Sequence, residues 1–266
     1  HLDAITHTFL ASCHVLFQRA DIIHYHAVGP STLAWIPRVF NWRSKVVVTF
    51  HSRDRFHEKW GTFARAYLAF GEWTAVTYPH ATIIVSHVLQ LFAKRMYGAT
   101  RLTYIPSGVD IPKPHPGSNL LPRFNLTSGN YFFTLSRLMP LKAIEDAIEA
   151  FYGVVTTMRL AIIGAATMND DVYHQKLQKL ASRDSRVQLL GHQSARELDQ
   201  LIANAYAMIH PSRIEGLSIA ILEAMSHGKL VIMSDIPENR ELVDHSGIAY
   251  KVGDVHALRE TLQWVV

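Results

Sequence analysis

The chain has 266 residues, 48% hydrophobic and 18% charged, which is enough apolar material for one large or two modest buried cores and too little polarity for disorder. No apolar run approaches the ~20 residues of a membrane-spanning helix, and a single cysteine, Cys13, excludes an intramolecular disulfide and a Cys-rich zinc module. A net charge of +4 is a mild bias and by itself calls for no nucleic-acid partner.

The opening at His1 rather than Met, directly in helix-like periodicity, reads as that of a fragment or processed form. Ile5, Phe9, Val15 and Leu16 predict a first helix. Residues 21–26 predict a buried strand, 31–40 a helix, and the β-branched run 45–51 a strand. Phe56, Trp60, Phe63, Tyr67 and Phe70 recur every three or four residues and predict an amphipathic helix. A strand over 82–86, a helix over 88–97 and a short strand over 102–106 follow. Pro106, Pro112, Pro114, Pro116 and Pro122, with Gly108 and Gly117, then break helix and sheet alike, and 111–128 reads as a linker.

Beyond the linker the alternation restarts. Strands are predicted over 131–135, 160–164, 187–191, 207–210 and 230–234. Helices are predicted over 171–181, 195–204 and 218–227, the last closed by Gly228. Ile144, Ala147, Ile148, Phe151 and Val155 mark one further helix face. Strand–helix alternation with continuous apolar strands predicts parallel sheets covered on both faces. The class is α/β, with two Rossmann-like domains at 1–110 and 129–266, and ligands are expected in a central cleft beyond the strand ends.

Three segments carry chemistry. In 210–228 a strand leads through Glu215-Gly216 into a helix, where N–H groups of Gly216, Leu217 and Ser218 suit a phosphate. Glu223, two turns on in an apolar helix, needs a partner; two ribose hydroxyls would serve, and so would a neighbouring Arg or Lys. In 135–143, Arg137 and Lys142 follow a strand and suit a diphosphate, the first as a planar fork and the second as a point charge. In 49–54, His51 at a strand end suits a sugar hydroxyl, against the plainer reading of a histidine satisfied by backbone. His24 and His26 share a strand face, but no third metal ligand is evident, and Asp170-Asp171 reads as helix-start charge rather than a metal motif. Ser107-Gly-Val-Asp110 would line the cleft near the hinge. Trp35, Arg38, Trp42, Arg43 and Lys45 form a basic aromatic stretch, weighed between membrane contact and helix packing.

Together these residues resemble the retaining glycosyltransferases of the GT-B fold, family 4 type. The likeness is carried by Ser136-Arg-Leu, Lys142, Gly191, Pro211-Ser212, Glu215-Gly216, Glu223-Ala-Met and Ser234-Asp235, with 21–26, His51 and 105–110 in the first half. The resemblance implies that Arg137 and Lys142 hold a nucleotide diphosphate and that Glu223 binds ribose. It implies that Glu215 and the Gly216–Ser218 loop contact donor sugar and phosphate, that His51 lies by the donor sugar, and that Gly191-His192 sits near the base. It further implies metal-independent catalysis with no cofactor, a UDP- or GDP-sugar donor and a saccharide or lipid-linked acceptor. A cytoplasmic location follows, with peripheral contact at the inner membrane face compatible. Two departures are Ala143 and Ser107, where the family favours Gly and Asn. The N-terminal domain lacks the family's first strand and Gly-rich loop, so a nucleotide-sugar-binding module without turnover is the alternative.

Overall fold

The computed structural model describes residues 2–56, 60–112, 117–166 and 171–266, with side chains from Ile5 onward. Pro114, Pro116 and Asp170, used in the predictions above, lie outside the described residues. The chain divides into a first unit, residues 1–107 with 215–217, and a second unit, 108–214 with 218–266.

The first unit runs α1 (Leu2–His14), β1 (Ile22–His26), α2 (Val28–Ser31), α3 (Trp35–Phe40), β2 (Lys45–Phe50), α4 (Thr62–Thr77), β3 (Ala81–Ile84), α5 (His87–Tyr97) and β4 (Leu102–Tyr104). Its four strands pair in parallel in the order β1-β2-β3-β4. Three predictions are corrected here. β1 is covered on one face only: Ile23 and Tyr25 are buried while Ile22, His24 and His26 are exposed. The helix predicted over 31–40 is two short helices, because Pro37 has no N–H for the Leu33 carbonyl, which takes the Ile36 N–H in a tighter turn.

The aromatic spacing from Phe56 also misjudged α4. Residues 54–56 form a separate 3-10 turn, and Phe63 is 82% exposed. The buried face is Leu68, Gly71, Glu72, Thr74, Ala75 and Val76. Gly71 explains the choice of face, since a Cβ there would stand 2.2 Å from the Val28 carbonyl oxygen. The small residues, not the aromatic ones, let α4 close on α2.

The second unit runs β5 (Tyr131–Leu135), α6 (Ile144–Tyr152), β6 (Arg159–Ile163), α7 (Asp171–Ala181), β7 (Val187–Gly191), α8 (Ala195–Ala203), β8 (Ala207–His210), α9 (Ile219–Ser226), β9 (Leu230–Ser234), α10 (Pro237–Val243), β10 (Ile248–Tyr250) and α11 (Val255–Val265). Period-two alternation sends Phe132, Leu160, Ile162 and Ile209 into one layer with α6, α7 and α11. It sends Tyr131, Phe133, Ile163 and Met208 into the other layer with α8 and α9. Val155, predicted on the α6 face, lies past the helix end and is 84% exposed. Part of the stretch read as a linker packs into this unit: Leu121 and Leu126 are buried in its core, and the Leu120 N–H donates to Gln200.

The six strands are all parallel and ordered β10-β9-β8-β5-β6-β7. Counted from β5, this is the doubly wound order 3-2-1-4-5-6. Its switch point falls between β5 and β8, so the loops leaving those two strands are where this architecture receives a ligand.

Candidate functional site

The loops leaving β5 and β8 carry the Arg137–Lys142 and Glu215-Gly216 motifs. After β5, the Ser136 N–H donates to Ile163 and the Leu138 N–H to Ala165. The strap is drawn tight against Gly164, where φ is +141° and a Cβ would stand 1.8 Å from the Ser136 oxygen. Further along, the Arg213 N–H donates to the Leu141 carbonyl at 2.9 Å, joining the β5 and β8 loops. The Arg213 guanidinium reaches both carboxylate oxygens of Asp146 at 3.1 Å. Burial raises the Asp146 pKa, and Arg213 opposes the rise. This frame holds Arg137, whose exposed side chain has no partner among the described residues, and Lys142, half-buried two residues before the start of α6.

Ala143, between Lys142 and α6, has φ +48° and ψ 40°. That left-handed conformation favours glycine. It gives a physical reason for a glycine at this position, and here a fully buried alanine carries the strain.

After β8, Ser218 caps α9 through its hydroxyl, which also lies 3.2 Å from His210 Nε2. The backbone N–H groups of Gly216, Leu217 and Ser218 donate to no described residue, which leaves them free for an anion at the helix start. Gly216 has a structural reason as well: within the first unit a Cβ there would stand 1.8 Å from the His51 carbonyl oxygen. The Leu217 side chain packs against that unit's core. What comes close to Gly216 is therefore backbone, where the sequence suggested a ligand.

On α9, Glu223 is half-buried, and burial raises its pKa. Its carboxylate has no hydrogen-bond or ion-pair partner among the described residues, so the Arg or Lys partner weighed in the sequence does not exist there. It lines a pocket of about 1110 Å³ in the second unit, walled by Gly108–Pro112, α8 and α9. Val109, Ile111, Leu198 and Ile219 make its apolar wall, and Asp110, Arg196 and the Asp199–His227 pair its polar rim. Gly191 and His192 follow β7, where the Gly191 carbonyl accepts from the Gly164 N–H. Of the residues singled out in the sequence for a ligand, Glu223 is the one in the pocket lining, with Gly108, Val109 and Asp110 from the hinge segment.

In the first unit, His51 follows β2. Its Nε2 lies 3.2 Å from His26 Nδ1, and the His24 ring sits 4.1 Å from that of His26. The partner of His51 is thus another imidazole, not backbone. Parallel pairing of β1 with β2 sets His26 opposite Thr49, two residues before His51, and His24 Nε2 meets Thr49 Oγ1 at 2.7 Å. Burial lowers the His51 pKa, His26 lowers it further, and Asp54 works the other way. A neutral His51 offers a hydrogen bond rather than a fixed charge. Among the described residues no group of three or more His, Cys, Asp or Glu is arranged to hold a metal ion.

The model of the family described as glycosyl transferases group 1 matches residues 129–266, and that of glycosyltransferase family 4 matches residues 5–113. The chain belongs to the glycosyl transferases group 1 family. Among curated relatives of this family member, O-antigen chain mannosyltransferase B of Escherichia coli is 29% identical over 143 residues, which are 52% of this chain and 37% of the relative. GDP-mannose:cellobiosyl-diphosphopolyprenol alpha-mannosyltransferase of Xanthomonas campestris is 27% identical over 241 residues, 86% of this chain and 59% of the relative. In both matches this chain spans less than two thirds of the curated relative. The solved structure of HepE from Anabaena in complex with UDP-glucose overlays with a TM-score of 0.82 at 21% identity, covering 97% of this chain and 71% of that one. Sucrose-phosphate synthase from Thermosynechococcus elongatus overlays at 0.83 and 18% identity, covering 97% and 67%. The fold of this group 1 glycosyltransferase is GT-B.

Two positioning residues, Arg213 in the second unit and His26 in the first, have no local signature of that role. Arg213 was read only as part of its segment, and its tie to Asp146 spans 67 positions. His26 was considered as a metal ligand rather than as the partner of His51. The signal for it was present, as His-x-His on one strand and Thr-x-His on the next, but only the strand register joins them.

Proposed function

We propose that this protein is a retaining glycosyltransferase that moves a sugar from a nucleoside diphosphate sugar to a saccharide or lipid-linked acceptor without a metal ion. The observation that carries the reading is Glu223: a half-buried carboxylate, unpartnered among the described residues, on the wall of a pocket large enough for a nucleoside. Leaving such a group unpaired is unfavourable, and two ribose hydroxyls donating to it remove the penalty. Arg137, Lys142 and the unused N–H groups at 216–218 take the diphosphate, with Glu215 and His51 hydrogen-bonded to the donor sugar and Gly191-His192 by the base.

In the reaction, the bond from the anomeric carbon to the phosphate oxygen breaks as the acceptor oxygen bonds to that carbon on the same face. The acceptor's proton passes to the departing phosphate oxygen. The two cations and the amide donors stabilise the negative charge that grows on the diphosphate, so the electrostatic term carries the rate. The GDP-mannose-dependent relative from Xanthomonas campestris makes GDP-mannose the first donor to try, and the UDP-glucose held by HepE makes that the comparison.

The test is thermal unfolding with GDP-mannose, UDP-glucose and the free diphosphates. One donor is expected to stabilise the chain by about 2.7 kcal/mol at a hundred-fold excess over its Kd. Glu223→Ala abolishes the shift, and Arg137→Ala weakens it. A shift unchanged in Glu223→Ala overturns the assignment. Binding with neither transfer nor donor hydrolysis leaves the alternative, a nucleotide-sugar-binding module.

A further inference from the structure

Helix α4 has two apolar faces. One is buried in the first unit. The other carries Phe63, Ala66, Phe70 and Trp73 at helical spacing and faces solvent. A helix apolar on both sides is ordinarily buried or at a membrane. With 16 residues it is too short to span one. Its two charged residues are Arg65, which is exposed, and Glu72, which is fully buried against Arg55 and Tyr97.

The apolar stripe continues into a basic aromatic edge. Trp73 stacks edge-on against Tyr78 at 5.4 Å, and the Tyr78 carbonyl accepts from Arg38 Nε at 3.1 Å. Arg101 bonds the neighbouring Thr77 carbonyl. Arg38, Lys45 and Arg101 all act on His80, whose pKa is lowered by its burial first and by these three cations after it. Past α3, the Asn41 side chain accepts the N–H groups of Arg43 and Ser44. That turn projects Trp42, 83% exposed, with the Arg43 guanidinium 5.5 Å from its ring. Phe40 is 65% exposed beside it. Asp21, whose carbonyl accepts the Lys45 N–H, is an acid bordering this edge.

We propose that this face of the first unit, from the outer stripe of α4 to Trp42 and its surrounding cations, docks on the surface of an anionic lipid bilayer. The aromatic rings enter the headgroup boundary while Arg38, Arg43, Lys45 and Arg101 meet lipid phosphates. Charge complementarity selects a lipid surface over a purely apolar protein partner. The inference is independent of the donor reading above, since none of these residues belongs to that site.

The experiment is flotation of the chain with phosphatidylglycerol–phosphatidylcholine vesicles against pure phosphatidylcholine vesicles. Enrichment on the anionic vesicles is expected, falling as salt is raised. Arg43→Glu with Lys45→Glu lowers the partition at least roughly twenty-fold, at about five-fold for each cation lost. Trp42→Ser with Phe63→Ser lowers it at all salt concentrations. Both pairs are on the surface, and an unchanged melting temperature certifies folding; nucleotide-induced stabilisation is the same as in the parent chain. Equal binding to both vesicle types, or binding that neither pair of substitutions alters, overturns the proposal. So does a self-associated chain that Trp42→Ser with Phe63→Ser makes monomeric, because a second copy then covers this face.

Discussion

The loops that follow β5 and β1 both carry backbone bonds, the second from the Ala27 N–H to the Thr49 carbonyl, but only beside the second do titratable side chains hold one another. β5 has a strand on either side and four of its five residues buried, and the loop after it is tied by backbone bonds at Ser136, Leu138 and Leu141. Arg137 is therefore presented by a frame indifferent to its side chain. β1 pairs, among the described residues, with β2 alone and buries alternate residues. The residue after it, Ala27, sits at φ 69° and ψ 162°, a region that is almost exclusively glycine's. Beside it, three imidazoles rest on one another and on Thr49. A backbone-tied loop keeps its geometry through changes of side chain or pH, whereas a side-chain-tied cluster answers to both.

The sharpest way to break this contrast is Gly164→Ala. The new methyl would meet the Ser136 oxygen at a φ reserved for glycine, and the expected cost is about 3 kcal/mol or more in urea unfolding. A loss below about 1 kcal/mol means that the β5 loop yields and is not rigidly tied.

Acid separates the two regions next. His24 and His51 have pKa values lowered from 6.5 by burial and neighbouring imidazoles. The unfolded chain then takes up protons before the folded one does. Their contribution is complete above 6.5 and is lost as pH falls through the lowered folded values. Glu223 and Asp146 in the second unit have raised values, so their contribution is present below 4.5 and 3.8 and is lost as pH rises through the folded values. The imidazole C2–H resonances of His24 and His51 are expected to titrate below 6.5, and His51→Asn to flatten the loss of melting temperature on mild acidification. Titration of either ring at or above 6.5 contradicts the burial of His24 and His51 against their neighbours.

The smallest effects come from relieving strain. Ala27→Gly and Ala143→Gly are each expected to stabilise by about 0.5–1 kcal/mol in chemical denaturation, because the strain removed slightly exceeds the flexibility added to the unfolded chain. The gain at Ala27 is the larger, since its conformation is the less accessible to alanine.

Much of the second unit was legible because its central strands are buried on both faces. Apolar runs marked 131–135, 207–210 and 230–234, and the structure places strands there. Gly228, at φ +65°, closes α9 as its position suggested. The charged motifs were legible too, since Arg137, Lys142 and the 215–218 turn each follow a strand. The first unit misled where packing outweighed pattern. The aromatic residues of α4 advertised a buried face, yet Leu68, Gly71, Glu72, Thr74, Ala75 and Val76 form it. Leu121 and Leu126, in a Pro-rich stretch, belong to a core that no local pattern announced. Residues 237–265, for which no element was predicted, supply two helices and a strand.

Taken alone, the amino-acid sequence determined the strand–helix alternation, the parallel character of both sheets and the charged loops at strand ends. Those depend on side-chain periodicity, glycine and proline, which act within a few residues. Only the tertiary structure decided that β5 lies beside β8, that His51 rests on His26, that Arg213 joins two loops through Leu141 and Asp146, and that Glu223 faces a pocket with no described partner. These are contacts between residues far apart in the chain, and strand order, register and burial set them.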